Sequence, residues 1–261
     1  MGTKATWAMV GAGISTATVA ILSWLGLRWA NTRLERNRVV VSETLPVHSQ
    51  WWRDHAKREG ELLYVALGDS AAQGIGASVP HNSYVGLIAN HVREVTGRSV
   101  RVVNLSVSGA TVATAAAEQL PRFRTFTPDL VTVAIGANNI SAFDPTAFEE
   151  GIRAVFDALP PDAIVADVPC FYLPHNERKV AVANRILREA AAERDLTVAP
   201  LHETMKRQGV KGMLTQFAND MFHPNDHGYR VWASAFLPTV TARMLEKYPD
   251  AADDPVDAAT P

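Results

Sequence analysis

The sequence holds a single cysteine, Cys170, among 261 residues. No intramolecular disulfide can form and no cysteine-rich metal site exists; after the apolar run that precedes it, Cys170 reads as a buried, inert thiol. An excess of either charge is also missing. The 25 Lys and Arg nearly balance 27 Asp and Glu, for a formal charge of −2. No run of Lys or Arg supplies the basic stripe that nucleic acid requires, so no nucleic-acid partner is expected. No internal repeat is visible. The length suits one sizeable α/β domain and would cramp a second.

Charge is missing outright from Ala5 to Leu27. As a helix these residues would extend about 34 Å, enough to cross the hydrocarbon core of a bilayer. Trp7 and Trp24 stand near the ends of the run, where amphipathic rings favour the interface. An uncleaved membrane anchor is the first reading. A cleaved signal peptide competes, but Arg28-Trp29-Ala30 puts Arg where a small residue belongs. A core helix is the third reading, and no polar face supports it. Residues 1–30 are therefore set apart as an anchor or signal segment, and 31–60 as a charged connector to which no chemistry is assigned. Residues 250–261, rich in Asp, Pro and Ala, bury too little apolar surface to offset their ordering entropy and read as a disordered acidic tail.

Between these lies residues 61–249, where short apolar runs alternate with longer amphipathic ones. Strands are expected at Leu62–Leu67, Val100–Leu105, Leu130–Ile135, Ala163–Val168 and Leu196–Leu201. Their nearly continuous Val, Ile, Leu and Ala suit parallel strands buried on both faces. Helices are expected at Tyr84–Thr96, Thr111–Phe123, Thr146–Leu159 and Arg178–Arg194. A last one carries Tyr229, Trp232, Ala233, Phe236, Leu237, Val240 and Met244 at a 3.6-residue period. Serial β-α units imply a five-stranded parallel sheet with helices on both faces. Such a sheet binds its ligand beyond the carboxyl ends of its strands.

The polar motifs fall just past those ends. Leu67-Gly68-Asp69-Ser70 places a serine at a strand-to-helix junction, where its hydroxyl is exposed and free helix N–H groups lie close by, as an acyl-transfer nucleophile and its oxyanion require. The second strand runs into a loop with Gly109, which offers a bare backbone N–H. The third ends in Gly136-Ala137-Asn138-Asn139, where an Asn amide can donate to an oxyanion. Each alone is also an ordinary turn. Asp220-Met-Phe-His223-Pro224 decides the matter. An Asp three residues before a His can bind Nδ1–H and leave Nε2 free to take a proton from a serine. Pro224 is expected in the first turn of the last helix, holding His223 at a defined helix start.

From about Leu62 to Leu245 these blocks resemble the SGNH/GDSL family of serine esterases and lipases. The family's four namesake residues fall on Ser70, Gly109, Asn138 and His223, with Asp220 as the acidic member. The resemblance implies a flavodoxin-like three-layer α/β/α sandwich and ester hydrolysis through an acyl-enzyme. Catalytic roles then go to Ser70, Asp220 and His223, and an oxyanion hole is implied at Ser70, Gly109 and Asn138. No cofactor is implied. Two blocks depart from the family: Asn139 replaces an acid, and Ala71 stands where the GDSL pattern has Leu.

Rival readings are weaker. An α/β-hydrolase elbow needs Gly-x-Ser-x-Gly, and Ala72 breaks it. A metal site at His223 and His227, with Asp220 and Asp226 nearby, lacks a third ligand, so no metal is expected; Asp226 and His227 read as solvent-facing residues at the helix start. The remaining histidines, His202 among them, have no partner at useful spacing. An acyltransferase or a carbohydrate O-acyl esterase would use the same acyl-enzyme. A non-catalytic envelope protein would have lost Ser70 or His223. The substrate rim is expected from Phe143, Phe171, Tyr172, Leu173 and the segment Met205–Asn219. With no obvious lid insertion, the site should be shallow and favour short to medium acyl esters. Arg28, Arg33, Arg36 and Arg38 after the N-terminal run point to a cytoplasmic catalytic domain. Family members with such segments act outside the cell, which favours a single-pass anchor with an extracytoplasmic domain. Oligomeric state has no signature in the sequence.

Overall fold

A computed structural model describes residues 44–252. The uncharged run 5–27 and most of the acidic tail lie outside the described residues. Among those described, no helix is long and apolar enough to cross a membrane.

Five strands form one parallel sheet: β1 (Leu62–Gly68), β2 (Val100–Asn104), β3 (Leu130–Ala134), β4 (Ile164–Ala166) and β5 (Thr197–Ala199), in the order β2-β1-β3-β4-β5. This is the doubly wound order found in flavodoxin, with its switch point between β1 and β3. All five expected strands occur. β4 and β5 are shortened to three residues each, their flanking residues serving as loops.

The pleat sends alternate side chains to opposite faces, and each face has its own core. Val65 and Leu67 of β1, Val131 and Val133 of β3 and Val165 of β4 pack on one side. That side is covered by α4 (112–123), α5 (Pro145–Asp157) and α6 (Pro174–Ala192). Leu62, Tyr64, Ala66, Leu130 and Ile164 pack on the other. There they meet α1 (Leu45–His55), α3 (Tyr84–Thr96), α7 (Leu201–Lys206) and α9 (Asp226–Lys247). Short α2 (Ser70–Gln73) follows β1, and α8 (Gly209–Thr215) lies between α7 and α9. Helix, sheet and helix make three layers.

The boundaries differ from those expected at both ends. Helix α1 lies inside the span read as a connector, yet it belongs to the domain. Trp52 is buried, and its indole N–H and the Nδ1–H of His48 both donate to the carbonyl of Gln73, at 3.1 and 3.0 Å. That carbonyl closes α2, so α1 braces the helix that Ser70 begins. At the other end Asp250, assigned to a disordered tail, sits in a 3₁₀ turn (Pro249–Ala252) and pairs with Arg98 at 2.6 Å. Arg98 also covers the ring of Tyr248. Composition did not register the pairing of Asp250 because Arg98 lies 152 positions away in the sequence.

Helix α4 is interrupted where the periodicity predicts a plain helix. Its middle, Ala115–Gln119, is π-helical, and the wider turn carries Gln119 into the core. Fully buried, its side chain accepts from Gly68 N–H at 3.0 Å and donates to Gly68 C=O at 2.8 Å. It therefore fixes the last peptide before Asp69 and Ser70. Gly68 C=O has a second partner in Val107 N–H, whereas Gly68 N–H depends on Gln119. Substitution Gln119→Leu should orphan that N–H and cost about 1–3 kcal/mol, measured by urea denaturation. An unchanged midpoint would show that the clamp is dispensable.

Candidate active site

Ser70 opens α2, directly after β1. Asp69 is its N-cap, accepting Ala71 N–H at 2.9 Å, which turns the chain sharply and leaves Ser70 at the carboxyl edge of the sheet. The N–H groups of this first helical turn have no acceptor within the helix.

The opposing side chain comes from the loop before α9. Phe217 and Pro224 form an antiparallel bridge, reinforced by Ala218 N–H to His223 C=O at 2.8 Å and Asn225 N–H to Gln216 C=O at 3.0 Å. Within this loop Asp220 Oδ1 accepts the N–H groups of Phe222 and His223, each at 3.0 Å, while Oδ2 meets His223 Nδ1 at 2.6 Å. One carboxylate thus shapes the turn and orients the ring. The turn requires Met221 to take a positive φ of 55°, which costs a non-glycine residue free energy that the bonds to Asp220 offset. His223 Nε2 then lies 2.9 Å from Ser70 Oγ. Asp220, His223 and Ser70, expected from spacing, are brought into one hydrogen-bonded line.

Pro224 does not begin the helix, as expected, but precedes it. Asn225 is the N-cap, accepting from His227 and Gly228 N–H, and Pro224 instead pairs with Phe217. Gly76 underlies this arrangement. Its φ is +93°, and a Cβ there would stand 2.5 Å from Pro224 C=O and 3.0 Å from His223 Cβ, so only glycine lets the loop after α2 support the histidine. Asp226 does not face solvent freely: it accepts Ser78 N–H and Oγ–H, at 2.7 and 2.6 Å, and Asn82 Nδ2. Both ring nitrogens of His223 are engaged, Nδ1 by Asp220 and Nε2 by Ser70.

Asn138, past β3, donates from Nδ2 to Ala110 C=O at 3.0 Å and to Asp69 Oδ2 at 3.2 Å. Asn139 Oδ1 accepts Val112 N–H at 3.1 Å, at the start of α4. Gly109, past β2, is exposed with φ +78°, and a Cβ there would meet open space. Backbone conformation, rather than room for a ligand, is what calls for glycine at this position.

Two buried carboxyls flank Ser70, and they are shifted in opposite directions. For Asp220, burial acts upward, but bonds from the His223 ring and from two backbone N–H groups outweigh it and hold the pKa below the usual range. For Asp69, burial dominates over Ala71 N–H and the nearby His223 ring and pushes the carboxyl up to about 6.

A cavity of about 450 Å³ opens beside Ser70 and His223. Phe171, Tyr172 and Leu173 line it as expected, and Met205, Met213 and Phe217 come from the expected 205–219 segment. Phe143 does not line it. Partly buried, it packs against the core beside Phe148, ring centroids 5.6 Å apart. α7, α8 and the loop to His223 form one wall of the cavity. No motif marks that wall. Trp232 also lines it, and its buried indole N–H has no acceptor among the described residues.

His202 does have a partner, Glu177, 25 residues away and so invisible to local spacing. Glu177 accepts Phe171 N–H at 2.6 Å and meets His202 Nε2 at 2.8 Å. With Cys170 they form a trio of possible metal ligands, their ligand atoms within 4.8 Å of one another. Burial pushes the Cys170 thiol up to about 11, and Glu177 is already satisfied as the clamp that ties the rim loop to α6 and α7.

Residues 66–231 match the model of the GDSL-like lipase/acylhydrolase family. Among solved structures, an alpha/beta hydrolase enzyme from the metagenome of Lake Arreo, Spain, is similar with a TM-score of 0.59 and 23% identity, over 72% of this chain and 98% of that one. A variant of an acetyl xylan esterase from Geobacillus stearothermophilus gives 0.58 and 19%, over 69% and 94%. A lipase/acylhydrolase from Enterococcus faecalis gives 0.56 and 20%, over 70% and 96%. At these identities the likeness is one of fold. No curated protein matches by sequence.

The raised pKa of Asp69 has a signed consequence for stability. Below pH 4 the carboxyl is protonated whether the chain is folded or not. As pH rises from 4 through 6 the unfolded chain ionises first, so the fold loses stability, on the order of 3 kcal/mol in all. Relative to Asp69→Asn, the wild type should therefore lose stability over that range and run parallel above it, in urea titrations at several pH values. A difference independent of pH would show that Asp69 ionises freely in the fold.

Proposed function

Because the chain belongs to the GDSL-like lipase/acylhydrolase family, we propose that it hydrolyses carboxylic esters through an acyl-enzyme on Ser70. The observation that carries this reading is the line Asp220–His223–Ser70, at 2.6 and 2.9 Å, opening on an apolar cavity. His223 Nε2 takes the proton as Ser70 Oγ attacks the ester carbonyl. Asp220 holds the ring in the tautomer with Nδ1–H and stabilises the imidazolium that forms. The tetrahedral oxyanion receives the N–H groups of Ser70 and Gly109 and the amide of Asn138. In the resting protein both Asn138 amide hydrogens are engaged, so donation to the oxyanion requires release of one bond; the longer, to Asp69, is the one to yield. The alcohol leaves with the proton held by His223, and water, deprotonated by the same nitrogen, releases the acid.

Ser70→Ala should abolish esterase activity while leaving the urea midpoint near that of the wild type. Asn138→Ala should lower kcat by about 10²–10³. A serine-directed phosphonate should label Ser70 and no other residue. An active Ser70→Ala protein overturns the mechanism.

The lining also bears on the substrate. A sugar ring needs many hydrogen-bond partners, and most of this wall is aliphatic, aromatic or thioether. The cavity therefore suits an acyl chain better than a glycan, and favours medium-length chains over acetyl. Each buried methylene is worth about 0.8 kcal/mol, or about fourfold in kcat/KM. On aryl esters kcat/KM should climb at about that rate from acetyl towards octanoyl and level off once the chain outgrows the cavity. A maximum at acetyl would put the alternative, a carbohydrate O-acyl esterase, in first place.

A further inference from the structure

Seven large apolar side chains are exposed among the described residues. Five of them, Leu173, Val210, Leu214, Met221 and Phe222, lie on the elements that frame the cavity. Scattered single hydrophobics are normal on a protein surface, but a cluster marks a contact. Val210 and Leu214 stand one turn apart on α8 and are 69% and 68% exposed. The same helix sends Met213 into the cavity wall, and its Gly212 abuts the hydroxyl of Tyr172. The apolar tips and the cavity mouth are therefore parts of one construction.

Between Glu203 and Asp220 the charge has one sign. Residues 204–219 contain Lys206, Arg207 and Lys211 and no Asp or Glu. All three cations are exposed, and none makes an ion pair among the described residues. In a chain of net charge −2, this local excess is not a general property of the surface. Exposed apolar tips interleaved with unpaired cations are the composition of an element that lies in a lipid interface.

We propose that the mouth of the cavity docks on an anionic lipid surface, with the apolar tips entering the headgroup–acyl boundary and Lys206, Arg207 and Lys211 meeting lipid phosphates. A partner covering this mouth would block the site unless it also delivered the substrate, and a layer of amphiphiles does both. Docked in this way, an acyl chain passes from the lipid into the cavity without crossing water, its ester reaching Ser70. This last consequence rests on the ester hydrolase reading above; the docking itself does not.

The test uses the full chain, with Leu214→Cys carrying an environment-sensitive fluorophore. The buried Cys170 stays unlabelled in the native protein. Glu246→Cys, labelled likewise, serves as control near the far end of α9, about 30 Å from its start. Phosphatidylglycerol vesicles should shift the emission at 214 to the blue and leave 246 unchanged, while phosphatidylcholine vesicles should shift neither. At about fivefold per cation, Lys206→Gln with Lys211→Gln should lower the docked-to-free ratio about 25-fold. Ser70→Ala should dock as the wild type does, which separates loss of docking from loss of catalysis. If the protein sediments with vesicles while the label at 214 stays as in water, attachment lies elsewhere, for instance in residues 5–27, and the proposal fails. Equal insertion into both lipids would overturn the anionic assignment.

Discussion

The carboxylate of Asp220 accepts two backbone N–H groups and one imidazole nitrogen, and much of the site follows from those three bonds. The backbone pair holds a turn in which Met221 adopts a conformation that L-residues avoid. The ring bond leaves His223 one orientation. Remove the carboxylate and the turn and the histidine would relax together. An Asp two or three residues from the N–H groups it accepts is at once a local folding device and a member of a candidate relay, so the spacing Asp-x-x-His carries more information than either residue alone.

Ser70 reaches the same point by a different route. It stands 150 residues earlier in the chain, at the end of a central strand, and its position is secured by groups that do no chemistry. Gln119 grips the peptide of Gly68, Asp69 caps the helix, and His48 with Trp52 closes on the carbonyl of Gln73. Gly76 then lets the loop after α2 lie directly against His223. The 2.9 Å separation of Nε2 and Oγ is thus over-determined from both sides, which is the condition for a proton to pass without reorganisation.

Two carboxyls within one site are shifted in opposite directions, by the balance between burial and the donors each one meets. Asp220 collects enough hydrogen bonds to hold its pKa below the usual carboxylate range despite burial. Asp69 collects fewer and is drawn toward neutrality, at about 6. Environments that push neighbouring acids apart in this way are a general mark of sites that move protons. The cavity beside them is lined mostly by apolar side chains, which lowers the local dielectric further.

The strands, the helices α3 to α6 and α9, and the candidates Ser70, Asp220 and His223 were legible in the sequence because each is written in a local pattern: runs of β-branched residues, a 3.6-residue period, an Asp three positions before a His. Phe143 was misplaced for the same reason, since an aromatic in a loop after a strand reads equally as rim or as core. What the tertiary structure alone decided are the pairings across long separations. Gln119 with Gly68, α1 with α2, and Glu177 with His202 join residues between 21 and 51 positions apart. No periodicity records such contacts, because it is the topology of the sheet that creates them. The cavity wall is of this kind too. Its apolar residues come from separate segments, most of which resemble ordinary loops and short helices, and they become a pocket only when parallel strands bring their carboxyl ends to one edge.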